Sequence, residues 1–358
     1  GAERLLLEVL PHLRAHGLSP SVLSLKGPGP MMEELQKAGI EVNTLDGRGR
    51  GDSRPVFKLL ARLTRGRPLL LHAHLSRAIL AGDWASRLAG VPLIAHFHSL
   101  GPAQPSWLRS LEAAATRRAV ARVAVSAAVA DETARLLGLS RSRFHVIPNG
   151  IELERYASLP APDLSDPRRP LVMGFLGRLR IEDKGLDLLL EAMGRWHGEE
   201  SVSGMLRLEV AGGPAREAEK LARRVRQEGL QGRVRFLGEV AGAASVLGRW
   251  DVVVLPSRKE GFGLVLVEAM AAARPVLASR TGGIPEVVEP GVTGWLVAPG
   301  DAGALVEGLR QVVLNRFRVG EMGLLARRAA QRFQATETAA AWARMVQESL
   351  PSCMERTT

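Results

Sequence analysis

The sequence predicts an α/β protein of two domains, each built on a parallel sheet. Short apolar, strand-like runs alternate with helical stretches through both halves of the chain, a pattern that yields parallel strands covered on both faces. The 358 residues suffice for two domains. A stretch with Pro160, Pro162, Pro167 and Pro170, interspersed with Asp163 and Asp166, divides the chain near its middle as a linker does. With 46% hydrophobic and 24% charged residues, the composition is that of a globular protein. No uninterrupted apolar run approaches the roughly 18 residues that span a bilayer. The single cysteine, Cys353, excludes an intrachain disulfide and gives no sign of an oxidising compartment.

Taken in order, the chain opens at Gly1-Ala2-Glu3-Arg4 directly into an amphipathic helix, LLLEVLPHLRAHG. β-branched and aliphatic runs then predict strands at Ser21–Leu25, Glu41–Leu45, Leu69–Leu75, Leu93–Phe97, Val120–Ser126 and Phe144–Ile147. Helices fill the intervals at Met31–Ala38, Val56–Arg65, Arg77–Leu88, Leu108–Arg118 and Ala127–Leu137. Ligands of parallel sheets bind outside the carboxyl ends of strands, which singles out His72/His74 and His96/His98. His98 ends an apolar strand and enters the loop Ser99-Leu100-Gly101-Pro102; His72 and His96 lie further back and read as structural. Two His-x-His pairs permit zinc, but that spacing alone is weak and no cysteines support it. No metal is expected.

Beyond the Pro-rich stretch, LVMGFLGRL reads as a strand, Arg180–Lys184 as a loop and Leu186–Met193 as a helix. Arg178 and Lys184 therefore flank a strand-to-helix loop, beside Gly177 and Gly185, and two cations there can stabilise a diphosphate. Strands follow at Leu206–Val210, Val234–Leu237, Val252–Leu255, Val276–Ala278 and Trp295–Val297, with a helix at Glu217–Gln227. Asp301 is placed to cap a helix that ends near Leu314, and a last helix covers Thr338–Leu350.

The most informative stretch is SRKEGFGLVLVEAMAAARPVLASRTGGIPEVV, residues 257–288. Glu260-Gly261-Phe262-Gly263 forms a loop that winds into an apolar helix. Two glycines let a ligand approach the backbone, and the helix N-terminus suits a phosphate. Glu268 has Leu264, Val265, Ala271 and Ala272 as helical neighbours and so lies on a buried face. A buried carboxylate needs hydrogen-bond donors; a sugar hydroxyl pair would serve, as would a structural arginine.

This stretch resembles the E-x7-E donor signature of the retaining family 4 glycosyltransferases, with the two glutamates at Glu260 and Glu268. PSRKEGFGLVLVEAM and GGIPEVVEPGVTGWLVAPGD follow the family pattern nearly throughout, and GRL…DKGLDLLLEA matches its phosphate-binding pair. Ala273 departs from it, standing where a glycine is usual. The resemblance implies a GT-B fold, two Rossmann-like domains facing each other across a cleft: residues 1–160 on the acceptor side, 161–335 for the donor, and 336–358 as a helix and tail returning to the first domain. It further implies that a first strand and glycine-rich loop precede Gly1, so that the acceptor-side domain is incomplete here.

The implied activity is transfer of a hexosyl group, with retention, from a nucleotide-diphosphate sugar to a glycan or lipid-linked acceptor, as in glycolipid or envelope polysaccharide synthesis. By that resemblance His98, Arg178, Lys184 and Glu260 are catalytic, and Gly177, Arg178, Lys184, Glu260, Gly261, Phe262, Gly263 and Glu268 bind donor. No cofactor or metal is implied, and the implied location is the cytoplasm, at the inner face of the membrane. A degenerate, non-catalytic GT-B protein that binds donor or membrane is an alternative. A nucleotide-sugar epimerase is another, but needs a denser set of acid–base carboxylates, and a glucan phosphorylase needs a longer chain.

The net charge of +11 is uneven. Residues 1–165 carry 21 basic against 14 acidic side chains, and Arg48–Arg67 alone holds seven basic residues against Asp52. Lys58, Arg62 and Arg65 recur on one helical face, which can lie on an anionic bilayer or simply be solvated. Nucleic-acid binding would need aromatic residues among the basic ones, and this patch offers only Phe57.

Overall fold

The computed structural model describes residues 2–29, 31–49, 52–101, 105–197 and 205–350. Gly1, Pro102 and Cys353 lie outside them, as do residues 50–51 of the basic stretch. Two compact units result: residues 1–151 with 333–358, and residues 152–332. The Pro160–Pro170 segment belongs to the second unit and is packed rather than extended. Leu164 is buried, Arg274 donates to the Pro160 carbonyl, and Arg316 donates to the carbonyls of Asp166, Pro167 and Arg169. The prolines remove backbone donors, and these two arginines supply donors to four of the segment's carbonyls.

The first unit holds β1 (Ser21–Lys26) and β2 (Glu41–Gly47) as a parallel pair, and β3 (Leu71–His74), β4 (Leu93–Phe97), β5 (Ala121–Ala124) and β6 (His145–Val146) as a four-stranded parallel sheet. Every residue of β4 and β5 is buried, including His96 and Arg122, which interrupt otherwise apolar runs. The C-terminal helix, Ala335–Ser349, joins this unit. It places Trp342, Met345 and Val346 in one core with Leu5, Leu10, Leu13, Ile94 and Val123. Its entry is fixed by Ala335 N donating to Ile151 O, and by Thr338 Oγ1 donating to Pro148 O at 3.0 Å.

The second unit is a six-stranded parallel sheet of β7 (Leu171–Leu176), β8 (Leu206–Ala211), β9 (Val234–Gly238), β10 (Val252–Leu255), β11 (Val276–Ser279) and β12 (Gly294–Val297), in the order β12-β11-β10-β7-β8-β9. The order reverses between β7 and β10, and ligands of such sheets bind outside that switch point. Two features lock the two strands together. Buried Asp251 accepts from Val172 N at 2.8 Å and from Arg169 at 2.8 and 2.9 Å. Gly174 leaves the space that the Trp250 ring occupies, since a Cβ there would overlap the ring. Asp301 caps the helix Ala302–Leu314 by accepting from Gly303 and Ala304 N.

The helix Leu264–Ala271 is apolar nearly throughout and buried from Leu266 onward. It packs on the helix Val319–Ala330, where Gly323 allows close approach to the Ala273 carbonyl. Ala273 itself has φ 55°, which explains why glycine is usual there: a left-handed residue with a Cβ costs about 1–2 kcal/mol. Alanine offsets part of this cost by burying its methyl group, and it is the smallest residue with a Cβ. Among the described residues, no helix is long and apolar enough to cross a membrane.

Candidate functional site

At the switch point of the second unit two of the predicted donor residues, Lys184 and Glu260, come into contact. After β7 the chain turns at Gly177, whose φ of 155° only glycine adopts readily, and Gly177 N donates to Ala211 O at 3.1 Å. Arg178 follows, exposed, while Leu179 is buried and donates to Gly213 O. Residues 181–184 form one helical turn where the sequence predicts a loop; it closes at Gly185, φ 65°. A Cβ at Gly185 would overlap the Pro256 carbonyl, so the glycine lets this turn sit against the loop that follows β10.

That contact brings together residues 76 positions apart. Lys184 Nζ donates to Glu260 Oε2 at 2.5 Å, with the two side chains only 20% and 16% exposed. The frame around the pair is hydrogen-bonded at several points. Arg258 N donates to Asp183 O at 2.8 Å, and its guanidinium grips Asp187 at 2.8 and 2.7 Å and Ile181 O at 2.8 Å. This arginine holds the Asp187 carboxyl below the usual range, against the desolvation that burial imposes. Gly283 N donates to Glu260 O, and Thr281 Oγ1 to Arg258 O. Both segments that the sequence singles out, 257–263 and 281–286, are therefore tied at this one place.

Gly261, Phe262 and Gly263 are buried, and Gly263, φ 87°, precedes the first turn of the helix Leu264–Ala271. Eight residues past Glu260, Glu268 is buried as predicted, at 8% exposure. Its Oε1 accepts a hydrogen bond from the hydroxyl of Tyr156 at 3.1 Å. Tyr156 is the chain's only tyrosine, stands 112 positions away, and carries no local signal; sequence reasoning missed it.

His98 lies in the first unit, at the mouth of β4. One of its ring nitrogens is 2.8 Å from His74 Nδ1, so His74 is its direct partner. Burial lowers the pKa of both, that of His74 to about 4, and keeps the rings neutral. On the predicted basic face, Lys58 pairs with Asp46 at 3.1 Å and Arg62 donates to Asn43 Oδ1 at 3.1 Å. Phe57 is 59% exposed and meets the ring of Trp84 edge-on.

The family model described as Glycosyltransferase Family 4 matches residues 1–155, and that described as Glycosyl transferases group 1 matches residues 170–315. The chain is 34% identical over 293 residues to the alpha-maltose-1-phosphate synthase of Mycolicibacterium smegmatis, covering 72% of this chain and 73% of that protein. This chain is a family 4, group 1 glycosyltransferase chain. It is also 33% identical over 258 residues to the phosphatidyl-myo-inositol mannosyltransferase of Mycobacterium leprae and 31% over 278 residues to D-inositol 3-phosphate glycosyltransferase 1 of Catenulispora acidiphila. These matches cover 69% and 70% of this chain but only 64% and 65% of the two relatives.

Among solved structures, Anabaena HepE in complex with UDP-glucose is similar at TM-score 0.81 and 25% identity, covering 98% of this chain and 96% of that one. A Rickettsia africae glycosyltransferase, at TM-score 0.82, 17% identity and the same coverage, shares the fold. The fold of this glycosyltransferase chain is GT-B, as the sequence predicts.

Proposed function

We propose that this chain transfers a glycosyl group, with retention, from a nucleoside-diphosphate sugar to a hydroxyl acceptor. The observation that carries the reading is the Lys184–Glu260 pair at the switch point, a cation and a carboxylate held at 2.5 Å. That HepE is described with UDP and UDP-glucose supports a nucleotide-sugar donor. Arg178 and Lys184 face the diphosphate, and Lys184 divides its donors between Glu260 and a phosphate oxygen. Glu260 accepts from a hydroxyl of the sugar and Glu268 from the ribose, while the backbone of Gly261–Gly263 approaches sugar and phosphate at a helix N-terminus.

In the reaction the bond from the anomeric carbon to the diphosphate oxygen breaks, and its electron pair leaves with the diphosphate. The acceptor oxygen bonds to the same face of that carbon, and its proton passes to the departing oxygen. Fixed cations aimed at the developing charge supply the main stabilisation, so no divalent ion is needed at the diphosphate. His98, neutral and held by His74, positions the reacting groups. No carboxylate is assigned as a nucleophile on the opposite face, and no covalent intermediate of the glycosidase type is invoked.

The acceptor is a glycan or lipid-linked hydroxyl, met at the cytoplasmic membrane face, where Lys58, Arg62 and Arg65 give weak attachment to anionic lipid. The name of the mannosyltransferase relative, which specifies a phosphatidyl-inositol, supports a lipid acceptor class. The experiment is incubation with UDP-, GDP- and ADP-hexoses and candidate acceptors, following nucleotide release and the anomeric proton by NMR. An α-linked product from an α-linked donor is expected. A β-linked product overturns retention, and acceptor-dependent release from no donor overturns the activity.

A further inference from the structure

β3 and β4 each end in a His-x-His pair, and their parallel register sets the two pairs side by side. His74 stands opposite His96, and the alternation of a strand puts His72, His74, His96 and His98 on one face. The rings form a continuous group. Centroids are 4.4 Å apart for His72 and His74, 4.8 Å for His74 and His96, 5.1 Å for His72 and His96, and 4.2 Å for His96 and His98. Trp342 of the C-terminal helix walls the group, 4.9 Å from His72 and 5.5 Å from His96.

Hydrogen bonding between the rings leaves this group incomplete. His96 Nδ1 lies 3.2 Å from His72 Nε2, and His74 Nδ1 lies 2.8 Å from His98 Nε2. These two contacts use one nitrogen of each ring. His96 is fully buried, and its Nε2 has no hydrogen-bond partner. A buried polar atom without a partner is costly and calls for an explanation, such as a bound ion. One nitrogen each from His72, His74 and His96 lie within 4.8 Å of one another. Zinc–nitrogen bonds of about 2.0–2.1 Å put two nitrogens of a tetrahedral ion roughly 3.4 Å apart, so ligand nitrogens as far apart as 4.8 Å would close by about 1.4 Å. Burial keeps the imidazoles neutral, with their lone pairs available.

We propose that His72, His74 and His96 bind one transition-metal ion of the zinc, copper(II) or nickel class, with His98 or water at the fourth position. An all-imidazole donor set favours these ions over magnesium or calcium, which take oxygen ligands. No carboxylate joins the three histidines among the described residues. The ion cross-links the ends of β3 and β4 against Trp342. Its ligands are distinct from the cations assigned to the diphosphate, and it shares with the proposed transfer only His74 and His98, 2.8 Å apart; zinc uptake is read without turnover.

The test uses the full chain, stripped with a chelator, dialysed, and titrated with zinc against a chromophoric competitor. One ion per chain is expected, with affinity weakened at least tenfold in His72→Gln and in His74→Gln. Exposed His16→Gln should behave like the parent. Since a ligand variant can fail to fold, the zinc-loaded parent is also examined by X-ray absorption. A first shell of three or four nitrogen or oxygen scatterers at about 2.0–2.1 Å, with imidazole outer-shell scattering from at least three rings, supports the site. No uptake at micromolar zinc, a shell without that imidazole signature, or unchanged affinity in both folded variants overturns it.

Discussion

Lys184→Ala separates the catalytic from the structural weight of the pair at the switch point. Lys184 and Glu260 are 20% and 16% exposed and 2.5 Å apart. Their loss should cost more than an exposed pair, about 0.2–1 kcal/mol, and less than the about 3–5 kcal/mol of breaking a fully buried one. A destabilisation of about 1–3 kcal/mol follows, visible as a lowered unfolding midpoint in a chain that still folds. The rate effect should be larger, because the ammonium stabilises charge that develops only as the diphosphate leaves. Removal of one such group costs about 10²–10³ in kcat, or about 2.7–4 kcal/mol. The assay is initial velocity at saturating donor and acceptor, with circular dichroism and thermal unfolding on the same samples. Lys184→Arg retains the charge and should lose less. A folded Lys184→Ala chain with kcat within a few-fold of the parent would refute the assignment.

Other outcomes follow from single contacts. Tyr156→Phe removes the hydroxyl that donates to Glu268; stability should fall by about 1.5–3 kcal/mol, the range for a hydrogen bond to a charged group, and unchanged denaturant unfolding would count against that bond. Magnesium or manganese added to millimolar levels should leave kcat unchanged, because Arg178 and Lys184 supply the charge; a strong rise would show that a divalent ion does this work instead. Lys58, Arg62 and Arg65 should give salt-sensitive co-sedimentation with anionic vesicles, at about 1 kcal/mol per residue, less for Lys58 because Asp46 already pairs with it. Equal binding to neutral vesicles, or retention when all three become Gln, would reject the surface.

The regular part of the fold was legible because it is local. Val252–Leu255 is a continuous apolar run and Leu93–Phe97 is apolar but for His96, and the strand bounds match those read from sequence. Lys184 and Glu260 were legible as members of motifs, although their direct contact was not, since nothing local links positions 76 apart. Tyr156 could not have been found: one aromatic residue in a short helix has no periodicity that points at Glu268. The Arg180–Lys184 segment reads as a loop because a single turn, residues 181–184, is too short to show a helical period. The Pro-rich segment reads as a linker because its packing depends on Arg274 and Arg316, more than a hundred residues downstream. The two His-x-His pairs are weak signals alone, and only the register of β3 on β4 makes them one group.

The claim that a nucleoside diphosphate is held by the cations at the switch point is tested most directly by calorimetry. The parent, Arg178→Ala and Lys184→Ala are titrated with UDP, GDP, ADP and the matching monophosphates. One diphosphate should bind at a single site, at least tenfold more tightly than its monophosphate, and each substitution should weaken it by tenfold or more. Absence of binding by every diphosphate, or equal affinity for diphosphate and monophosphate in all three chains, would contradict the account.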